Sequence, residues 1–463
     1  MSGSRTHRSC SSSWGSSCSS SAWCRNRSPH SGSSGGGSRA TASSGRLRHS
    51  GSSAMPHTVV MVTTSYPRFS GDTVGTFLEP IAQGVAARGH AVHVVAPWHP
   101  RINRDRIDGR VHFHYFRYAP ARFSVFGYAE GLRADVDLKA AAYLTAPLAA
   151  TASTLLARRV ARRHGATIMH GHWVIPGGVI AAAAAGRLPL AISLHGSDVY
   201  VAEQHRLIGR AARWAFGRAG WVTACSDDLR QRAIGLGAVP DRSEVLPYGV
   251  DPARFSPDPS AGGRLRAQLG IDADAPLVFT AGRLVRKKGF EFLVDAAARL
   301  APDWPALRLV IAGAGDLDGE LRQLAQAADL GKRVSFVGDV PQDAIPAYLS
   351  AADIVVVPSV RDAAGNVDGL PNFLLEALVS GTPVVTTDVG GIGSVAKDGR
   401  TASVVAPGDA AALATAIDRL MRDPERRRAM GETARGELSK SRDWEDVAAR
   451  FEAIYDRLAG AGG

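Results

Sequence analysis

Cysteine is scarce in this sequence. Its 463 residues include four cysteines, and three of them (Cys10, Cys18 and Cys24) fall within the first 54 positions. The fourth, Cys225, has no second cysteine in the rest of the chain, and the cysteines show no zinc-type spacing with histidine. This usage argues against a disulfide-stabilised secreted scaffold and indicates a reducing compartment, so we expect a cytoplasmic protein.

Long apolar runs and a dinucleotide-binding motif are also missing. A membrane-spanning helix needs about 20 consecutive apolar residues, whereas the longest apolar run, around residues 179–185, is mostly alanine and is bounded by glycines. The predicted strand at 59–63 begins a βαβ unit, but no G-x-G-x-x-G follows it. We therefore expect no membrane span, and a nicotinamide-dependent enzyme is disfavoured.

Acidic residues are absent from the first 54 positions, which contain seven arginines among many serines and glycines. Such a segment cannot bury enough apolar surface to fold, so we predict a disordered low-complexity tail over residues 1–54. A serine- and arginine-rich leader is also typical of an organelle transit peptide. Of these two interpretations we favour the first, in which residues 1–54 are sequence upstream of the true translation start at Met55.

The rest of the chain divides by charge. Residues 55–250 contain 22 basic and 13 acidic residues, whereas residues 251–463 contain 25 basic and 30 acidic residues. The basic part predicts an anionic partner, such as a phospholipid surface or a phosphorylated acceptor; the alternative is a solvated basic face. One predicted helix has four arginines on neighbouring turns, Arg158, Arg159, Arg162 and Arg163. It could rest on an anionic membrane, but a solvated helix face is the interpretation that we favour from the sequence.

Aromatic and basic residues are interleaved between positions 101 and 133, a composition that also occurs in nucleic-acid-binding proteins. Within this stretch, Val111–Phe116 alternates at the period of a strand. An exposed strand face explains that alternation better than a nucleic-acid surface does. We therefore expect no nucleic-acid partner.

The order of predicted elements indicates two α/β domains. Strands alternate with helices through residues 55–250, which we assign to the first domain. A proline- and glycine-rich connection follows near 248–257, and a second series of strands and helices occupies 251–440. Residues 441–463 are predicted to form a final helix.

The second domain contains residues with the chemistry of a phosphate site. Arg283 and Lys288 stand five residues apart on a glycine-bounded turn after a strand, where a planar guanidinium and a mobile ammonium suit a diphosphate. Further along, a buried strand leads into a loop with Asp368 and a helix with Glu376, and Pro371 suits the first helical position. Backbone amides at a helix start and two carboxylates suit a phosphorylated ligand with hydroxyl groups.

The sequence DGLPNFLLEALVSGTPVVTTDVGG, which begins at Asp368, resembles the donor-site signature of glycosyltransferase family 4. The resemblance extends from about Met55 to about Leu458. It implies the GT-B fold: two Rossmann-like, doubly wound parallel-sheet domains facing a cleft, with a C-terminal helix that crosses back to the first domain. The chain departs from the usual pattern where the first acidic residue is Asp368 instead of glutamate, and again at Gly393, Ser394 and Ala402.

The resemblance also implies roles for individual residues. His195, in the segment PLAISLHGSD at the end of a strand, matches the active-site histidine of the family and would contact the sugar from the first domain. Asp368 would hold sugar hydroxyls and Glu376 the nucleotide ribose, so that these three residues form the catalytic set. Residues that would bind the donor are Arg283, Lys288, Gly313, Gly369, Leu370, Pro371 and Glu376. Gly75 and His172 are candidate residues of the acceptor side or the cleft.

The implied function is a retaining glycosyltransferase that moves a sugar from a nucleotide-diphosphate sugar to a hydroxyl of a glycan, glycolipid or small molecule. No metal or other cofactor is implied, and the protein would work in cell-envelope polysaccharide biosynthesis at the inner face of the membrane. Two alternatives share the fold. A nucleotide-sugar epimerase would turn over its donor without an acceptor, and a non-catalytic sugar-nucleotide-binding protein would bind the donor without transfer.

Overall fold

The computed structural model of the chain describes residues 55–121, 124, 126–128, 132–133, 137–138 and 140–460. The predicted tail over 1–54 lies outside the described residues. Two large sheets, each flanked by helices, account for most of the structure.

The first sheet has eight strands in the order β10-β9-β8-β7-β1-β2-β4-β3. All neighbouring pairs are parallel except β3 with β4. A separate antiparallel pair joins β5 to β6. The strands of this half are β1 (Thr58–Val62), β2 (Ala91–Pro97), β3 (Ile107–Asp108), β4 (Val111–Phe116), β5 (Leu132–Arg133), β6 (Asp137–Leu138), β7 (Ile168–His172), β8 (Leu190–Leu194), β9 (Trp221–Ala224) and β10 (Ser243–Val245).

The second sheet has six strands, all parallel, in the order β13-β12-β11-β14-β15-β16. In both sheets the chain begins near the middle, builds towards one edge and then returns to build the other, which is the doubly wound arrangement. The strands are β11 (Leu277–Ala281), β12 (Arg308–Ala312), β13 (Val334–Gly338), β14 (Ile354–Val357), β15 (Val384–Thr387) and β16 (Ser403–Val405).

Helices connect the strands and cover both sheets. They are α1 (Leu78–Ala87), α2 (Ala140–Arg163), α3 (Val179–Ala185), α4 (Ser197–Gln204), α5 (Arg206–Arg218), α6 (Asp227–Gly235), α7 (Pro259–Gln268), α8 (Phe290–Leu300), α9 (Asp318–Ala327), α10 (Ile345–Ala351), α11 (Asn372–Ser380), α12 (Ala410–Arg422), α13 (Pro424–Ser441) and α14 (Trp444–Gly460). Because strands of a parallel sheet are covered on both faces, they read as continuous apolar runs. The four residues of β14 are all buried.

The C-terminal helix returns to the first sheet, as the resemblance implied. α14 packs against α1, and its residues Phe451 and Tyr455 share a hydrophobic core with Val59 and Met61 of β1. The packing is close, since a Cβ placed on Gly84 of α1 would lie 2.8 Å from the Cβ of Ala448. The last helix therefore ties the end of the chain to the first domain.

The prediction of an exposed face on β4 is wrong. His112 and His114 are only partly exposed, and Phe113 on the opposite face is buried. The face is covered because β4 is an inner strand, paired with β2, and because α2 packs against both strands. The alternation marks a strand between two layers, not an exposed edge.

The predicted helix start at Pro371 is also wrong by one residue. Pro371 has an extended backbone (φ −66°, ψ 121°), and the helix begins at Asn372. Proline suits this position as well, because its fixed φ is compatible with an extended conformation before a helix.

Candidate functional site

The carboxylate of Asp368 is held among cations in the second domain. Its Oδ2 lies 2.8 Å from the Nζ of Lys288 and accepts a hydrogen bond of 3.2 Å from the hydroxyl of Ser359. Its Oδ1 lies 3.5 Å from the Nζ of Lys287. Asp368 and Lys287 are buried and Lys288 is nearly so. The structure thus brings together the predicted sugar contact and one of the two predicted phosphate cations.

Gly289 allows the turn that contains Lys287 and Lys288 to lie close to the loop that leads to Asp368. Gly289, directly after Lys288, has a left-handed backbone (φ +65°), and a Cβ at this position would lie 2.1 Å from the carbonyl oxygen of Pro358. The same contact is secured by a hydrogen bond of 2.9 Å from the amide of Val360 to the carbonyl of Lys287. Only glycine allows this approach, so the lysine turn is seated against the loop that leads from β14 to Asp368.

Gly313, a predicted donor-binding residue, joins two loops at the carboxyl ends of β11 and β12. Its φ is +129°, and a Cβ would lie 1.9 Å from the carbonyl oxygen of Gly282. The amide of Leu284 donates to the carbonyl of Ala314 across the same contact, at 2.9 Å. Arg283 lies between these anchored residues, and its side chain is exposed.

The first domain contributes a chain of hydrogen-bonded rings at the ends of β7 and β8. Nε2 of His195 lies 3.0 Å from Nδ1 of His172, and Nδ1 of His195 lies 2.9 Å from the hydroxyl of Tyr248. Behind them, the ring of His170 contacts the hydroxyls of Ser193 (2.7 Å) and Tyr455 (2.8 Å). The two predicted histidines are therefore in direct contact.

Burial keeps these rings neutral. It lowers the pKa of His195 and of His172 well below the ordinary value of 6.5, and neighbouring histidines lower both further. Burial also raises the pKa of the Tyr248 hydroxyl well above its usual value. A neutral imidazole can donate or accept a hydrogen bond to a sugar hydroxyl, but it adds no positive charge to the site.

The two halves of the site meet at Gly369. A Cβ on this residue would lie 3.1 Å from the carbonyl oxygen of His195, 2.9 Å from Sγ of Cys225 and 2.8 Å from Cδ1 of Leu229. The loop after Asp368 therefore lies directly against the carboxyl ends of β8 and β9 and against α6, with no room for a side chain at position 369. Ligands of doubly wound sheets bind at this edge of the strands.

Glu376 occupies a different place from Asp368. Its buried carboxylate accepts a hydrogen bond of 2.6 Å from Nε2 of Gln342, and burial raises its pKa to about 7. It lines a cavity of about 580 Å³ between the two domains. That cavity is also lined by Gly71, Phe77, Asp108, Arg254 and Trp444, but Asp368, Lys288 and His195 are not part of its lining.

The remaining predicted residues have structural explanations. Gly75 has a left-handed backbone (φ +68°) in the turn before α1, and a Cβ there would meet Ser65 at 3.4 Å. Leu370 is buried next to the start of α11. Sequence reasoning missed Tyr248, Lys287 and Ser359; nothing in the sequence singled out Tyr248, which stands in the connection between the domains.

Two facing parallel sheets with cations and a carboxylate at their junction define the architecture of a GT-B glycosyltransferase. Residues 263–437 match the family described as Glycosyl transferases group 1, and residues 74–254 match Glycosyltransferase Family 4. The chain belongs to glycosyltransferase family 4 and is a nucleotide-sugar-dependent glycosyltransferase.

Individual relatives and structures agree with this assignment. The GDP-mannose-dependent alpha-(1-6)-phosphatidylinositol monomannoside mannosyltransferase of Mycolicibacterium smegmatis is 33% identical, over 58% of this chain and 70% of that protein. The 2-deoxystreptamine glucosyltransferase of Streptomyces kanamyceticus is 28% identical, over 65% and 80%. The crystal structure of Anabaena HepE in complex with UDP has a TM-score of 0.66 at 22% identity, over 86% of this chain and 99% of that chain, which is a likeness of fold.

Among the residues that the structure describes, no helix is both long and apolar enough to cross a bilayer.

Proposed function

We propose that this chain transfers a sugar with retention of anomeric configuration, and that the Lys288–Asp368 pair binds the reacting end of the donor. The observation that carries the proposal is the position of that pair. Its charged atoms lie 2.8 Å apart, and Asp368 directly precedes Gly369, where the second domain touches His195. A donor bound across this contact would have its diphosphate beside the cations and its sugar between Asp368 and His195.

The cations have the main electrostatic task in this transfer. As the glycosidic bond breaks, negative charge develops on the departing diphosphate, and preformed positive groups in a buried site stabilise it strongly. Lys288 and Lys287 are held in place before the donor arrives, and Arg283 stands earlier in the same loop between β11 and α8. When the diphosphate binds, we expect Lys288 to shift from the carboxylate towards phosphate oxygens, which frees Asp368 to accept hydrogen bonds from sugar hydroxyls.

The first-domain rings would position the sugar without adding charge. His195 is neutral and held through both ring nitrogens, so it can exchange one of these hydrogen bonds for one to a sugar hydroxyl. A covalent intermediate on Asp368 is not required, because the leaving phosphate can accept the acceptor's proton on the same face of the sugar. Glu376 would bind the nucleotide ribose from the cavity between the domains.

We also propose a glycan or lipid-linked acceptor at an anionic membrane surface. α2 presents Leu148 and Leu155, which are 58% and 59% exposed, one helical repeat of seven residues apart. A surface groove along the same helix is lined by Leu155 and by the four arginines noted in the sequence, Arg158, Arg159, Arg162 and Arg163. Exposed leucines beside arginines are typical of helices that lie in a membrane interface. The phosphatidylinositol mannoside named for the relative from Mycolicibacterium smegmatis supports such an acceptor class.

The stereochemical experiment is transfer from a panel of nucleotide sugars, including GDP-mannose, UDP-glucose and UDP-galactose, followed by NMR of the product. We expect the anomeric coupling of the product to match that of the donor. An inverted product would contradict the proposed mechanism, and conversion of the donor's sugar without any acceptor would indicate an epimerase instead.

Membrane contact is tested by sedimentation with vesicles. We expect the chain to pellet with vesicles containing phosphatidylinositol and not with neutral phosphatidylcholine vesicles, and the double variant Arg159→Glu/Arg162→Glu to remain in solution. Arg264→Glu, on α7 of the second domain, is the matched control for loss of one surface arginine. Equal sedimentation of the wild type with both vesicle types would contradict the proposal.

A further inference from the structure

Three histidines from separate elements meet under α2. His93 lies on β2, His114 on β4, and His164 directly follows the last residue of α2. One nitrogen atom from each ring lies within 4.8 Å of the other two. Among the described residues, this is the only group of three potential metal-binding side chains brought this close.

The strands explain why the rings converge. β2 and β4 are parallel neighbours in which His93 is paired with His112 and Val95 with His114. Side chains alternate between the faces of a sheet, so His93, His112 and His114 all point to the face that α2 covers. His164 enters the same space from the helix end, with its ring centroid 4.1 Å from that of His93.

From this geometry we propose that His93, His114 and His164 form a binding site for a divalent transition metal ion, with Zn²⁺ as the ion of reference. Imidazole nitrogen is a preferred ligand of zinc, and three histidines with one open position are a common zinc arrangement. An all-imidazole site does not suit Mg²⁺ or Ca²⁺, which require oxygen ligands.

The distances suit coordination after a small adjustment. Nδ1 of His93 lies 3.0 Å from Nε2 of His114. Two nitrogens bound tetrahedrally to zinc at 2.0–2.1 Å stand about 3.3 Å apart, so a movement of a few tenths of an ångström would admit the ion. The hydrogen bond between the two rings would then be replaced by two bonds to the metal.

Access also suits a metal. His93 is 3% exposed, His114 is intermediate and His164 is exposed, which gives an entry path from solvent along the helix end. Two nearby cations, Arg106 and Arg163, oppose a positive ion, but both are exposed and therefore strongly screened.

The site lies away from the transfer site. α2 ends just before β7 begins, so His164 stands at the amino-terminal edge of the first sheet, whereas His195 follows the carboxyl end of β8. A bound ion would connect β2, β4 and α2 and would stabilise the first domain by mass action. We therefore expect removal of the ion to lower the melting temperature and to leave the rate of transfer unchanged.

The test is Zn²⁺ binding to the full chain, produced without a histidine tag, in competition with a chromophoric chelator. Because the chain has 14 histidines and other weak sites are expected, the readout is the difference between wild type and variants. His164→Ala is the principal variant, since the side chain is exposed and its loss should not disturb folding. His205→Ala, which removes another exposed histidine, is the matched control.

We expect His164→Ala and His114→Ala each to bind zinc at least about 10-fold more weakly at one site, because even outer-shell changes weaken metal sites by 10–100-fold. His205→Ala should bind as the wild type does. Co²⁺ should give the visible absorption of a tetrahedral ion in the wild type and lose it in His164→Ala. Unchanged zinc affinity and stoichiometry in folded His164→Ala would show that the three rings are a hydrogen-bonded packing cluster only.

Discussion

On the second-domain side of the site, two lysine ammonium groups surround the carboxylate of Asp368, whereas on the first-domain side His172, His195 and Tyr248 form neutral hydrogen bonds. The second side can therefore neutralise a diphosphate, and the first can orient hydroxyl groups without attracting or repelling charge. The contrast suggests a division of labour in which the second domain binds the leaving group and the first positions the groups that react.

We expect the largest effect when Lys288, the cation closest to Asp368, is removed, because the second-domain side then loses most of its positive charge at the carboxylate. We expect Lys288→Ala to lower kcat/KM by about 100–1,000-fold, the typical cost of losing one group that stabilises developing charge. It should also destabilise the fold by about 1–3 kcal/mol, since Asp368 keeps Lys287 but loses its closer partner. The assays are steady-state kinetics and urea unfolding.

The double variant Lys288→Ala/Asp368→Asn separates the two effects. The Asp368→Asn change should cost less stability in the Lys288→Ala background than in the wild type, because the carboxylate then has one ammonium partner, Lys287, instead of two, while activity stays low. Lys440→Ala removes an exposed lysine and should change neither quantity. Full activity in Lys288→Ala would contradict the role of this cation.

The contact between the two sides can be tested at Gly369. Its backbone does not have a left-handed φ, so Gly369→Ala adds a clash with the first domain and no backbone strain. We expect a loss of activity of about 10–100-fold, as for other small misplacements of catalytic groups. Gly436→Ala, which meets nothing within 4 Å inside α13, is the control and should stabilise by about 0.5–1 kcal/mol. An active Gly369→Ala enzyme would show that the closed contact is not needed.

Glu376 tests what it costs the second domain to bury a carboxylate whose hydrogen-bond donor, Gln342, is an uncharged amide. Its folded pKa of about 7 lies above the ordinary value of 4.5, so the folded state holds the proton more tightly than the unfolded state. Stability should therefore fall as the pH rises from about 4.5 to 7 and stay reduced above that. We expect Glu376→Gln to be more stable than the wild type by about 1–3 kcal/mol at pH 8 and equal to it near pH 4, as measured by chemical unfolding. Equal stability at both pH values would contradict the raised pKa.

The smallest expected effect is on the first-domain side. Tyr248→Phe removes the hydroxyl that contacts Nδ1 of His195, which should cost about 1 kcal/mol, or about five-fold in kcat with little change in KM. Because His195 is neutral, we also expect kcat to show no histidine titration between about pH 6 and 8.

The control for Tyr248→Phe is Tyr348→Phe, which removes a tyrosine hydroxyl from α10 of the second domain. A rise in KM alone would indicate that Tyr248 acts on binding instead of positioning.

Features of the site that follow from local sequence patterns could be predicted, and those that depend on tertiary packing could not. The apolar strands and the glycine turns are local patterns, and they predict both sheets, whereas the return of α14 to the first domain is implied by the resemblance to glycosyltransferase family 4 alone. The pairing of Lys288 with Asp368 was also within reach, because cations and carboxylates after neighbouring parallel strands share one edge. The sequence could not reveal that Glu376, unlike Asp368, lines the cavity between the domains, since that depends on how α11 packs against Gln342.

The histidine cluster was missed for a related reason. His93, His114 and His164 are far apart along the chain and show no metal-binding spacing. Their convergence depends on the pairing of β2 with β4 and on where α2 ends, which only the tertiary structure determines. The alternation of His112 and His114 is visible in the sequence, but alternation alone predicts a strand with one solvent-facing side and does not reveal that α2 covers that side.

The most direct test of the central claim is binding of nucleoside diphosphates to the full chain, followed by thermal unfolding of the wild type and Lys288→Ala. We predict that one of GDP, UDP and ADP raises the melting temperature of the wild type, and that Lys288→Ala loses the shift while Lys440→Ala keeps it. The absence of a shift with all three, or an equal shift in Lys288→Ala, would contradict a donor site built around Lys288 and Asp368.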